Sequence, residues 1–141
     1  MSLPSISNII ENLSFLEDWE DRYRYIIELG RMVETMPDAL KTEDTKVRGC
    51  ASQVWLHAEA SLDNPPVLTF LGDSDAHIVR GLVALALALY SGKSAPEIMS
   101  TDAIALFSSL GLKEHLSAQR SNGFRSLIDK IQQQAALSLA H

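Results

Sequence analysis

The sequence has one cysteine, Cys50, and that scarcity excludes more than any other feature. A single thiol cannot close an internal disulfide, build an all-cysteine structural zinc site or hold a four-thiolate iron–sulfur cluster within one chain. It leaves an inert thiol, a reactive thiol, or half of an intermolecular bond. Basic charge is also short: 12 Lys and Arg stand against 18 Asp and Glu, a formal net charge of −6. Nucleic-acid binding depends on neutralising phosphates, and no Lys/Arg run is present to do that or to hold an anionic membrane surface. His57, His77, His115 and His141 form no H-x-x-x-H pair or other metal-ligand spacing. No metal site or bound cofactor is therefore expected. A G-x-S-x-G elbow, a phosphate loop and a dinucleotide fingerprint are all missing. MSLPSISNII lacks the charged start and long apolar run of a signal peptide, so a reducing cytoplasm is the expected location.

What is present suits one folded unit over residues 1–141. A chain of this length buries roughly 70% of its unfolded surface, enough for a core without staples. Its 46% apolar content argues against disorder. Ile6, Ile9, Ile10, Leu13 and Leu16 space one face of a helix over 5–16. Asp18 caps a second helix carrying Trp19, Tyr23, Ile26, Ile27 and Val33, which Met36-Pro37 should end. The PDALKTEDT stretch at 37–45 reads as a polar loop. Strands are expected over 45–48, 53–60 and 67–71, with Asp63-Asn64-Pro65-Pro66 as a turn between the last two. Residues 72–92 are the clearest helix, apolar nearly all round at its centre but too short between Arg80 and Lys93 to span a bilayer. Asp73, Ser74 or Asp75 should cap its start; capping is the expectation for the two aspartates rather than acid–base work. Short helices follow, one from near Ser94 or Pro96 and one over 102–110. Residues 115–123 read as a polar connector and 121–138 as the last helix. The expected fold class is α+β: a three-stranded antiparallel sheet with helices packed mainly on one face.

The informative stretch is 46–56, KVRGCASQVWL. Gly49 can take a positive φ and shields nothing beside it, while Val54, Trp55 and Leu56 favour a pleated surface. Cys50 thus sits on a small-residue turn anchored by a strand. Free cysteine is usually buried and inert, yet the neighbours here are Arg48, Gly49, Ser52 and Gln53 rather than apolar residues. An ordinary thiol is only about 3% thiolate at pH 7, so nucleophilic work needs that fraction raised. Arg48 is close in sequence and shares a side with Cys50 if the extended backbone continues. Arg120 is a second cation that folding could bring in. Surface solvation is the alternative for both. A thiol protease would further need a positioned histidine and an oxyanion hole, and no such constellation is legible.

Four separated blocks resemble the SufE/CsdE family: YIIELG at 25–30, RGCASQVWL at 48–56, GDSDAHIVRGL at 72–82 and LSAQRSNG at 116–123. They stand in the family's order and spacing. One departure is Ala118-Gln119, where the family often has a proline after the Leu-Ser pair. The resemblance implies a fold similar to the iron–sulfur scaffold protein IscU. It implies a sulfurtransferase-like accessory protein in which Cys50 accepts sulfane sulfur from a pyridoxal-phosphate cysteine desulfurase of the SufS/CsdA type. A SufBCD-type scaffold complex would receive the sulfur for iron–sulfur cluster assembly. Gly49 and Ala51 would then admit the partner's active-site loop, Arg120 would stabilise the Cys50 anion, and Asp75 would gate the thiol or contact the desulfurase. The free protein would shelter its thiol in a hydrophobic pocket. Two other readings stand beside this one: a stand-alone thiol enzyme of peroxidase type, and an adaptor in which Cys50 is idle.

Overall fold

The computed structural model describes residues 3–140. Helix α1 (Ile6–Phe15) starts where the Ser5 hydroxyl accepts the Asn8 N–H, and it buries Ile9 and Leu13. Helix α2 (Trp19–Arg31) starts at Asp18, whose carboxylate accepts the Glu20 N–H, with Glu20 and Asp21 at the positive end of its dipole. It stops at Arg31, short of Met36-Pro37. Val33 and Met36 are still core residues, but they are reached from an irregular turn. That is why the apolar spacing overran the helix.

Strand β1 (Val54–Ala60) pairs antiparallel with β2 (Val67–Ser74), from Val54↔Ser74 to Ala60↔Leu68. Alternation is as expected: Val54 and Leu56 are buried, while Trp55, His57 and Glu59 take the other face. Two corrections concern the sheet. The stretch at 45–48 is not a strand; it makes one isolated bridge, Lys46↔Trp55. Thr42 and Thr45 lock a turn on one side through reciprocal backbone–hydroxyl bonds, and a turn at Arg48–Gly49 closes the other. Room remains for a single bridge. The third strand is instead the two-residue β3 (Lys93–Ser94), paired with Val67–Leu68 on the far edge of β2. β2 also runs three residues further than expected, so Gly72, Asp73 and Ser74 belong to the strand rather than to the helix.

Helix α3 (His77–Tyr90) is buried from Gly81 to Leu87. Each large apolar side chain it removes from water contributes about 1.5–3 kcal/mol. It crosses α2 at backbone contact: a Cβ on Gly81 would overlap the Ile26 carbonyl, and one on Gly30 would stand 2.8 Å from the Gly81 nitrogen. Helices α4 (Ala95–Ser100) and α5 (Ala103–Ser109) start at Ser94 and Asp102, the former with a full capping box. Tyr90, fully buried, staples them: its hydroxyl donates to the Thr101 carbonyl at 2.7 Å and accepts from the Ala103 N–H and the Gln132 amide. After the short α6 (Leu112–His115), helix α7 (Ala118–Leu139) begins inside the stretch expected to be a connector. Ser117 caps it by accepting the Arg120 N–H at 3.2 Å. The polar composition there was a capped first turn, not a loop. α7 packs on α3, α4 and β1, bringing its first half beside Cys50.

Candidate functional site

Cys50 lies in the turn that runs from Lys46, bridged to Trp55, round to the start of β1, with its backbone led round by Gly49 at φ 87°. That positive φ is natural to glycine alone, and a Cβ there would also sit 2.8 Å from the Ser126 hydroxyl of α7. The next contact is with the same helix. The Cys50 thiol donates to the Gly123 carbonyl at 3.6 Å, a long and weak bond. A Cβ on Gly123 would come within 3.3 Å of the sulfur. Gly123, on a helix interior where glycine is disfavoured, makes the berth for the thiol.

The sulfur lines a cavity of about 310 Å³. Its buried lining is apolar: Val54, Leu82, Val83, Phe124 and Leu127, from β1, α3 and α7. Its exposed lining carries Ser117, Gln119 and Arg120 beside Ala51. The thiol is half-buried against this apolar lining. Burial pushes the Cys50 thiol above its ordinary pKa, and among the described residues no cation offsets it. The resting thiol is therefore protonated and a poor nucleophile at neutral pH.

The other expected residues separate. Arg48 does not join the thiol. Its side chain is exposed and pairs with Glu43 at 3.0 Å, because the turn at Gly49 ends the extended run that placed Arg48 and Cys50 on one side. Arg120 does reach the cavity, where its Nη1 donates to the Tyr23 hydroxyl at 3.0 Å. Asp75 is not a helix cap. Its carboxylate accepts the Gln53 N–H at 3.0 Å and its own N–H donates to the Gln53 carbonyl at 3.3 Å, so it clasps the end of the cysteine turn to the start of α3.

Asp73 is not a cap either. It is buried and paired with Lys41 at 3.0 Å and Arg80 at 3.2 Å. The Asp73 hydrogen bond raises the Lys41 pKa, and none of the three lines the thiol cavity. Sequence reasoning missed Gly123, although a glycine inside a helical pattern was a signal, and Tyr23, for which there was none. Among the described residues no group of three or more His, Cys, Asp or Glu could hold a metal ion, and no helix is long and apolar enough to cross a membrane.

Against known proteins, residues 7–135 match the family model "SufE: Fe-S metabolism associated domain". A SufE-like protein of Rhizobium meliloti, itself uncharacterised, is 54% identical over 134 residues, 94% of this chain and 96% of the relative. The sulfur acceptor protein CsdE of Escherichia coli is 40% identical over 116 residues, covering 82% of this chain and 78% of CsdE. The solution structure of a hypothetical protein from Thermus thermophilus superposes with a TM-score of 0.78 over all of both chains at 19% identity, a likeness of fold.

Proposed function

The chain belongs to the SufE family, and from that premise we propose that it is a sulfur acceptor whose carrier is Cys50. The observation that carries the reading is the sole thiol on the wall of an apolar cavity much larger than a sulfur atom. A carrier needs one such thiol, and a second nearby would discharge the persulfide as a disulfide. The donor is a pyridoxal-phosphate cysteine desulfurase holding a cysteine persulfide. The Cys50 thiolate attacks the terminal sulfur, the donor's inner sulfur–sulfur bond breaks, and the donor cysteine leaves as thiolate. Cys50 becomes the persulfide and no external oxidant is consumed. Relieving the desulfurase of its sulfur stimulates it, and the persulfide passes to an iron–sulfur scaffold complex in the cytoplasm.

The raised thiol pKa gives docking a task. In the cavity Cys50 is protonated and shielded; swung out on its turn it regains solvent and an ordinary thiolate fraction. Asp75 holds the end of the turn at Gln53, while the thiol itself is held by one weak bond. Gly49 and Ala51 leave the approach open, and Arg120 on the rim is the cation available to a persulfide anion. A solitary peroxidase would need the opposite arrangement, a thiol whose pKa is lowered.

Intact mass tests this after incubation with a cysteine desulfurase and free cysteine, without reductant. One added sulfur atom on wild type and none on Cys50→Ser is the expected result. No added sulfur with two different active desulfurases would refute the acceptor role and favour the adaptor.

A further inference from the structure

The chain that leads into the cysteine turn is laid along one face of α7. Cys50 meets Gly123, and a Cβ on Gly49 would stand 2.8 Å from the Ser126 hydroxyl. One turn further along the helix, the Lys130 ammonium donates to the Asp44 and Lys46 carbonyls at 2.9 and 3.1 Å. Positions 123, 126 and 130 share a helix face, so residues 44–50 run antiparallel to α7 against that face. Lys130 is drawn out of water to make its two bonds. Burial lowers its pKa, with Asp44 opposing the shift and Arg48 adding to it. An ammonium held on the two carbonyls that flank Thr45 is a fastening, and what it fastens is the stem of the turn.

The stem has further holds. Thr42 and Thr45 exchange backbone–hydroxyl bonds, the Val47 N–H donates to the Val54 carbonyl, and the Leu56 N–H donates to the Thr45 carbonyl, the last two at 2.8 Å. The Val47 side chain is buried. On the other side of the cysteine, Asp75 holds Gln53. Residues 48–52, between these anchorages, are held by the exposed Arg48–Glu43 pair and by the 3.6 Å thiol bond, and an exposed ion pair contributes little.

We infer that Lys130 anchors the stem of the cysteine turn to α7, so that Cys50 swings out on residues 48–52 alone, a short arm hinged at Val47 and Gln53. Cys50 is three residues from either hinge, so its backbone stays within about 10 Å of both. The thiol is thus offered at the surface beside α7 and returns to the same berth. Lys130 touches neither the thiol nor a sulfur donor; it is a positioning residue. The meaning of the arm for sulfur transfer rests on the acceptor reading, whereas its measurement needs no desulfurase.

Two open fractions are compared in the full chain. That of the thiol comes from its alkylation rate by iodoacetamide relative to the denatured chain. That of the stem comes from hydrogen exchange of the Val47 and Leu56 amides, whose bonds must break if the stem lifts. In wild type the thiol should be open at least tenfold more often than the stem. Lys130→Met keeps the length of the side chain and loses the ammonium. It should raise the open fraction of the stem about tenfold, the weight of one hydrogen bond to a charged group, and leave exchange in α3 unchanged. Gln132→Met is the matched control: Gln132 also donates to two backbone carbonyls, those of Ile98 and Thr101 at 3.0 and 3.1 Å, but at α4. It should leave the stem amides as they are. A wild-type stem that opens as often as the thiol overturns the arm, and that comparison stands even where a variant does not fold. Unchanged stem exchange in Lys130→Met overturns the anchor, as does an equal rise in Gln132→Met, which would be general loosening. Failed sulfur loading on a protein with a closed stem sinks the acceptor reading alone. A stem that opens with the thiol while loading is intact sinks the arm alone.

Discussion

Replacing Gly123 with alanine should make the protein more stable and its thiol less sheltered. The two effects have separate sources. Gly123 lies inside α7, in its second turn, where alanine is favoured over glycine by about 1 kcal/mol. Against this stands the new Cβ at 3.3 Å from the Cys50 sulfur, with the Cys50 Cβ and Cα at 3.7 and 3.8 Å. The sulfur must give way by a few tenths of an ångström. It is held there by a single 3.6 Å bond to the Gly123 carbonyl, worth no more than about half a kcal/mol. The turn can yield where α7 cannot, so the helix keeps most of its gain. The net is roughly 0.5–1 kcal/mol of added stability, a rise in Tm of about 2–4 °C for a chain of this size. Crowding of about half a kcal/mol at the berth, the part of the helix gain given up, shifts the thiol towards the swung-out state by about twofold. The assay is thermal unfolding beside pseudo-first-order alkylation with neutral iodoacetamide, for wild type and Gly123→Ala. A stabilised variant with faster alkylation is expected. Stabilisation with unchanged alkylation would refute the berth, since the glycine would then be incidental. Loss of stability would refute the claim that the turn is the softer partner. A Cys50→Ser background supplies the control: the smaller oxygen should tolerate the new Cβ, leaving only the helix gain.

Cys50 alkylation by a neutral reagent should show its inflection above that of an ordinary exposed thiol, because burial disfavours the thiolate. The same shift makes the neutral thiol contribute stability below that pH, lost as pH rises through the higher folded value. The stability difference between wild type and Cys50→Ser should therefore shrink in alkali, and a difference that grows with pH would contradict the burial. Asp75→Ala removes the acceptor for the Gln53 N–H and should speed alkylation while lowering stability by about 1 kcal/mol. Asp75→Asn keeps an acceptor and should behave as wild type in both assays. Gly81→Ala drives a Cβ into the Ile26 carbonyl where α2 and α3 cross. Denaturant unfolding should show a loss of more than about 3 kcal/mol, or no folded protein at all.

The sequence spoke most clearly where a few neighbouring residues decide the matter. Asp18 caps the helix it was expected to cap, and the helices expected near Ser94 and Asp102 start at those residues, because a cap is a bond across two or three residues. α3 was legible from its all-round apolar centre. The errors fall where local signals were ambiguous. Val33 and Met36 kept the helical spacing beyond the end of α2 because the core wants them whatever the backbone does. Thr45–Arg48 had the composition of a strand, but the turns at its two ends left it a single bridge. Asp73 and Asp75 stood where caps stand, and each found a distant partner that a one-dimensional reading does not contain.

By itself, then, the sequence determined that one thiol is available, that an internal disulfide and an all-cysteine metal centre within one chain are not, and that the thiol sits on a small-residue turn before a strand. These are matters of count and of neighbours. Only the tertiary structure decided that the thiol packs against α7, that its pKa is raised, that Arg48 pairs with Glu43 and that Arg120 lines the same cavity with its head on Tyr23. The reason is one of range. Capping, turn and strand preferences act over a few residues, whereas desolvation and charge depend on distances between β1, α2, α3 and α7 that only packing sets.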